Sequence, residues 1–223
     1  MRLLRGEGPA LLVGHRGAAA VAPENTLRAF DAALAAGVDA IEFDVLDLLG
    51  GPLVLAHSDD LYEVSHGAAN GLVRGSTLKE LHAVAPELPT LEEALDWFEA
   101  HADLLLHVDL KLTTRLDELV AAIRTRGLAE RTVVSSFHVP SLEAVAATGV
   151  RIAIGRTYPE DRYGVAQRPA LRPVLRAGTL ALRRALALRV PGMIERAGAT
   201  ALMLHHAVVS PAAVSRALSL IHI

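Results

Sequence analysis

The fold turns on the stretch Asp39-Ala-Ile-Glu-Phe-Asp-Val45. Apolar residues alternate with acids here, and in an extended chain Glu42 and Asp44, two residues apart, project from the same face. Adjacent carboxylates repel unless a cation joins them. A strand carrying both is therefore expected to lead into a site for a hard divalent ion. Downstream, His107-Val-Asp-Leu-Lys111 repeats the spacing, placing Asp109 and Lys111 on one face of a mostly buried strand, where charges need partners.

Outward from these two runs, short apolar or β-rich segments alternate with Ala/Leu-rich segments of helical spacing, with Gly or Pro between them. About seven strands are expected, over residues 10–14, 39–45, 53–57, 104–110, 132–136, 151–155 and 200–205. Asn25-Thr26 caps a helix that stops near Gly37, and Thr90 with Glu93 forms a capping box opening a helix over 91–101. Thr114 opens another that ends at Gly127, and Ser210-Pro211 a last one. Residues 156–198 break the rhythm with several prolines and an Arg/Ala/Leu-rich helix over 171–190, and read as an insertion or lid within a single domain spanning 1–223. An ordinary helix covering the fold is the preferred reading of that segment over a membrane-contacting amphipathic one.

Alternating units of this kind close either into a barrel or into an open doubly wound sheet. The polar residues discriminate. Glu42, Asp44, His57, Asp109 and Lys111 lie within or at the ends of three separate expected strands, where one barrel mouth gathers them and an open sheet scatters several. An α/β fold, a parallel (β/α) barrel, is therefore expected.

Composition bounds the chemistry. The 223 residues, 52% hydrophobic, suffice for one sizeable core, and a formal net charge of −3 gives no attraction toward nucleic acid. Small or zwitterionic substrates fit better. With no cysteine, a metal must sit on carboxylates, imidazoles, backbone or water. The apolar run before His15 is too short for a secretory segment or a membrane span, so the chain reads as cytoplasmic without stable membrane insertion. Its oligomeric state is left open.

His15 and Arg16 follow directly on the apolar run Leu11-Leu-Val13 and precede Gly17, the strand-end position where barrels keep their active residues, and His57 ends the third expected strand in the same way. Two imidazoles at one mouth can divide the labour of phosphodiester cleavage: one takes a proton from the attacking oxygen, the other gives one to the leaving alkoxide. Arg16 and a cation would then offset the charge on the phosphorus centre. A third carboxylate joining Glu42 and Asp44 makes an oxygen-only set that suits Mg²⁺ or Ca²⁺ better than zinc. Lys111 is one of only two lysines against twenty arginines, consistent with a point charge directed at phosphate. His205 and His206 end the seventh expected strand and are candidate substrate contacts; the other histidines receive no role.

Five ordered motifs, Gly14-His-Arg-Gly17, Pro23-Glu-Asn-Thr26, Ile41-Glu-Phe-Asp-Val45, Val54-Leu-Ala-His57 and Leu88-Pro-Thr-Leu-Glu-Glu-Ala-Leu95, resemble those of the glycerophosphodiester phosphodiesterases. The resemblance covers roughly residues 11 to 137, including Ser135-Ser136-Phe137, and loosens beyond. It implies a TIM barrel that hydrolyses glycerophosphodiesters to glycerol 3-phosphate and an alcohol, with His15 and His57 as acid and base. Glu42, Asp44 and Asp109 would hold one divalent cation, Mg²⁺ or Ca²⁺. Arg16 and Lys111 would hold the phosphate, and Glu24 would support the site from behind. Three departures stand out. Ser58 occupies the place where the family usually has an acid directly after the second histidine, leaving Asp59 as an alternative partner. Asp109 stands where a glutamate is usual. No tryptophan-threonine-valine-asparagine run follows the last helix, so a C-terminally truncated barrel lacking its eighth strand is expected. Two other readings are a lysophospholipase D-like phosphodiesterase with an apolar lid, and a catalytically impaired phosphodiester-binding protein.

Overall fold

The computed structural model describes residues 10–160 and 172–220. Among these residues seven strands occur in chain order: β1 (Val13–His15), β2 (Ala40–Asp47), β3 (Leu53–Leu55), β4 (Leu105–Leu110), β5 (Thr132–Ser136), β6 (Ala153–Tyr158) and β7 (Ala201–Leu204). Among the described residues eight α-helices accompany them: α1 (Leu27–Ala35), α2 (Leu61–Val64), α3 (Leu78–Val84), α4 (Leu91–Glu99), α5 (Leu116–Thr125), α6 (Val139–Ala147), α7 (Arg172–Ala197) and α8 (Pro211–Leu220). The sheet order is β1-β2-β4-β5-β6-β7 with every neighbouring pair parallel, and the sheet curls through 220° as a barrel wall. Among the described residues β7 does not pair with β1.

One expected strand departs from the parallel pattern. β3 pairs antiparallel with β2, Val45 opposite Leu55 and Asp47 opposite Leu53. The reason is chain length: residues 48–52 form a tight connection, whereas a parallel crossover needs about a dozen residues or more. The hairpin lets β2 run on past the mouth of the barrel and return, and Ala56 N donates to Asp44 O at 3.2 Å. His57 thus descends onto the mouth from above. Residues 56–90 then make an excursion carrying α2 and α3 before α4 resumes the barrel.

Thr114 does not open α5. Its hydroxyl donates to Asp47 Oδ2 at 3.1 Å, and the N-cap is Arg115, held in the left-handed region at φ 56°. The helical stretch expected over 171–190 is observed as α7; Leu171 lies outside the described residues, and residues 156–158 extend β6. Pro191 is accommodated inside α7, which packs on α6 and α8.

The main core is built on aromatic packing that the composition makes scarce. Phe30, Phe43, Phe98 and Trp97 join α1, β2 and α4 with ring centroids 5.2–5.7 Å apart, a spacing at which tilted and edge-on rings attract. A second, smaller apolar cluster of Leu46, Leu48, Val54, Ala56, Leu61, Val73, Leu81 and Leu88 lies under the excursion. α4 begins with the capping box read from sequence: Thr90 Oγ1 accepts from Glu93 N at 3.2 Å while the Glu93 carboxylate takes Thr90 N at 2.8 Å. Thr90→Ala is expected to cost about 1 kcal/mol, visible as a lowered midpoint of urea unfolding at unchanged slope.

Candidate active site

Strand register brings the acids together. His15, Glu42 and His107 stand at one level of the sheet, and Asp44, Asp109 and Ser135 at the next level toward the mouth. Glu42, Asp44 and Asp109 are only 6%, 1% and 7% exposed, and each offers an oxygen lying within 4.8 Å of the others. Asp109, although shorter than a glutamate, reaches this group from β4.

Cations and amides close in from two sides. Lys111 Nζ lies 3.0 Å from Asp44 Oδ1 and 2.5 Å from Asp109 Oδ2. Burial works against its charge, but Asp109 and Asp44 outweigh it and hold the ammonium above its ordinary pKa. Arg16 Nε pairs with Asp44 Oδ2 at 3.1 Å, and its Nη1 donates to both oxygens of Glu24 at 2.9 and 2.8 Å. Asn25 Nδ2 donates to Asp44 Oδ2 at 2.9 Å, while Asp44 N donates to Asn25 Oδ1 at 3.0 Å.

This clasp depends on backbone strain in the loop after β1. Arg16 and Asn25 sit in the left-handed region at φ 53° and 56°, costly for residues with a Cβ. The turn allows Arg16 N to donate to Glu42 Oε2 at 2.8 Å. Gly17, at φ 81°, packs so closely that a Cβ would lie 2.6 Å from the Ala29 carbonyl carbon.

Electrostatically the three acids divide. Burial, then Asp44 and Asp109, push the Glu42 carboxyl up to about 8, against the pull of Arg16. Burial also opposes the Asp44 charge, but Lys111, Asn25 and Arg16 hold that carboxyl below its usual range. Two cations, Lys111 and Arg16, face three acids, so full ionisation of the set would leave negative charge uncompensated. An oxygen-only donor set in that condition fits a hard divalent cation.

One imidazole adjoins this group, and the other lies with Glu24 and Glu63. His15 Nε2 lies 3.9 Å from Glu42 Oε2, and its side chain is 71% exposed. Partial desolvation and then Arg16 lower its pKa from 6.5. His57 Nδ1 lies 3.0 Å from Glu63 Oε1 on α2. Asp59 is committed elsewhere, accepting from Arg74 N at 2.8 Å and pairing with Arg74 Nε at 3.5 Å, so it does not take the place of an acid at position 58. Glu24, His57 and Glu63 border a cavity of about 260 Å³ whose apolar lining includes Leu55, Val64 and Leu88.

The sequence reading gives four site residues, Asn25, Glu63, His107 and Ser135, no part in the site; Asn25 figures there only as part of a helix cap, which the structure gives to Thr26. Ser135 Oγ donates to Asp109 Oδ1 at 2.5 Å and meets His107 Nε2 at 2.8 Å. With its single hydrogen committed to a carboxylate, the serine must accept from the ring, so His107 carries its hydrogen on Nε2. Burial drops the His107 pKa to about 4, keeping that ring neutral. The distal histidines face solvent: His205 accepts from Ala207 N at 3.3 Å, its ring 4.3 Å from that of His206.

The comparisons with known proteins bear on the family and the fold. The model of the glycerophosphoryl diester phosphodiesterase family matches residues 15–219. A glycerophosphodiester phosphodiesterase of Caldanaerobacter subterraneus is 30% identical over 164 residues, 66% of this chain and 66% of that protein. The chain thus spans just under two thirds of that relative's length. Among solved structures, a Silicibacter pomeroyi protein assigned as a glycerophosphoryl diester phosphodiesterase superposes with a TM-score of 0.75 at 24% identity, over 99% of this chain and 83% of that one. An Oleispira antarctica phosphodiesterase in complex with the product sn-glycerol-3-phosphate gives 0.68 at 22% identity, over 96% and 82%. These two likenesses establish the fold.

Proposed function

The chain belongs to the glycerophosphoryl diester phosphodiesterase family, and from that premise we propose that it hydrolyses glycerophosphodiesters to glycerol 3-phosphate and an alcohol with the aid of one divalent cation, Mg²⁺ or Ca²⁺. The observation that carries the reading is the convergence of Glu42, Asp44 and Asp109, from adjacent parallel strands, within 4.8 Å of one another. These three would hold the ion. Once bound, it would supply charge stabilisation at the phosphoryl oxygens.

The remaining work falls to the chain's own residues. A lowered pKa keeps His15 neutral near pH 7, which suits it to take the proton from the attacking oxygen. His57, facing a carboxylate through Nδ1, is suited to carry a proton on Nε2 and deliver it to the leaving alcohol. Arg16 and Lys111 place positive charge beside the acids, from where they would orient the phosphate as its charge develops. Glu24, clamped on Arg16, fixes the guanidinium. Among the described residues no helix is long and apolar enough to cross a membrane.

The test is release of glycerol 3-phosphate from glycerophosphocholine or glycerophosphoethanolamine by folded protein. Turnover is expected with Mg²⁺ or Ca²⁺ and should disappear after dialysis against a chelator. A folded sample that hydrolyses neither diester with either ion overturns the proposal.

A further inference from the structure

The notable property of the mouth is the partner of His57. Its Nδ1 lies 3.0 Å from Glu63 Oε1, and among the described residues Nε2 has no partner. Partial desolvation opposes the Glu63 charge, but hydrogen bonds from His57 and Ser58 outweigh it and hold the carboxyl below its usual range. An ionised carboxylate can only accept. The neutral His57 ring is thereby forced to carry its hydrogen on Nδ1, leaving the lone pair on Nε2. Around the pair stand Glu24 and Arg16 from the loop after β1, His15 at the end of β1, and His66 after α2.

Glu24 cannot replace Glu63. Both of its oxygens accept from Arg16 Nη1. Nor can Asp59, which Arg74 holds. Glu63 arrives by a local device: Asp60 caps α2 by accepting from Tyr62 N at 2.9 Å, and one short turn of helix carries Glu63 back over the His57 ring.

We propose that Glu63 is the positioning residue of the site: through its hydrogen bond to Nδ1 it fixes the orientation and tautomer of His57 and makes Nε2 the atom that loses and regains the proton. The inference deepens the function proposed above and rests on it for the role of His57. Free imidazole side chains favour the opposite tautomer, with the hydrogen on Nε2. A ring released from Glu63 would therefore rotate and present a hydrogen where a lone pair is needed to recover the proton. Binding of the diester phosphate, which depends on other groups, would be little affected.

The experiment compares wild-type protein with Glu63→Ala, Glu63→Gln and Glu63→Asp, measuring kcat, KM and the ¹⁵N resonances of the His57 ring. Glu63 is partly exposed, its side chain at 47%, so truncation removes no core packing. Glu63→Ala and Glu63→Gln are expected to lower kcat by about 10²-fold, the upper end for loss of a partner that orients an active ligand or base, with KM nearly unchanged. The neutral ring should move from the Nδ1–H to the Nε2–H signature in Glu63→Ala, whereas the Glu63→Gln amide can accept from Nδ1–H through its oxygen or donate to Nδ1 through its nitrogen, giving a mixture. Glu63→Asp should restore part of the rate and the native tautomer. Unchanged kcat, or an unchanged ring signature in Glu63→Ala, overturns the proposal. His57→Ala serves as the separate control: if that variant keeps normal turnover, the role assigned to His57 fails, while the ring spectra of the Glu63 variants still decide whether Glu63 sets the tautomer.

Discussion

Glu42→Gln is expected to make the metal-free protein more stable at pH 8 while weakening its hold on the proposed divalent ion. The sign follows from the carboxyl itself, which the folded protein raises from 4.5 to about 8. A group raised on folding contributes its full stabilisation below about pH 4.5, and that contribution is lost as pH rises through 8. Glutamine cannot ionise and occupies almost the same volume, so the difference between variant and wild type should grow in favour of the variant from pH 5 upward. The ion reverses the balance, because it needs the ionised oxygen that only glutamate supplies. Affinity for Mg²⁺ or Ca²⁺ should fall by about 10²-fold or more, at least matching the loss when a supporting partner of a metal ligand is removed. Turnover should fall with it. Urea unfolding in a chelator at several pH values, with calorimetric titration of the ion, checks both halves. A variant less stable than wild type at pH 8, or one that binds the ion normally, would show that Glu42 is an ordinary buried acid.

His15→Ala and His57→Ala should each reduce turnover by about 10² to 10⁴-fold, the range for losing a positioned proton-transfer group, with unfolding midpoints close to wild type. Their side chains are 71% and 35% exposed and contribute little to the core. The pH profile separates the two. A base must be neutral to act, so the rate should rise with pH through the His15 pKa, which lies below 6.5. That limb should vanish in His15→Ala and persist in the residual activity of His57→Ala. Near-normal rates in either variant would refute the pairing.

Much of this site was legible because strands obey a period of two. Glu42 and Asp44 had to share a face of β2, and the parallel register then set Asp109 level with Asp44. The β3 hairpin was harder to read, since an apolar run of a few residues looks the same whether its strand pairs parallel or antiparallel. Only the five-residue connection before it carried the signal. Asn25 lay inside a quoted motif, but its grip on Asp44 depends on a left-handed φ that nothing local announces. Glu63 could not be read at all, because a four-residue helix has no usable periodicity. Lys111 faces the expected site, yet the structure adds that it spans Asp44 and Asp109. Its approach to a phosphate remains part of the functional proposal.

The separate apolar cluster beneath residues 56–90 divides the cleft mechanically. The acids are rooted in the main sheet, whereas His57 and Glu63 hang on a patch of eight buried side chains. Small cooperative units open at lower free energy than the whole domain. If His57 acts as proposed, warming is expected to loosen His57 and Glu63 while the carboxylates stay assembled, so that activity is lost at a lower temperature than global melting.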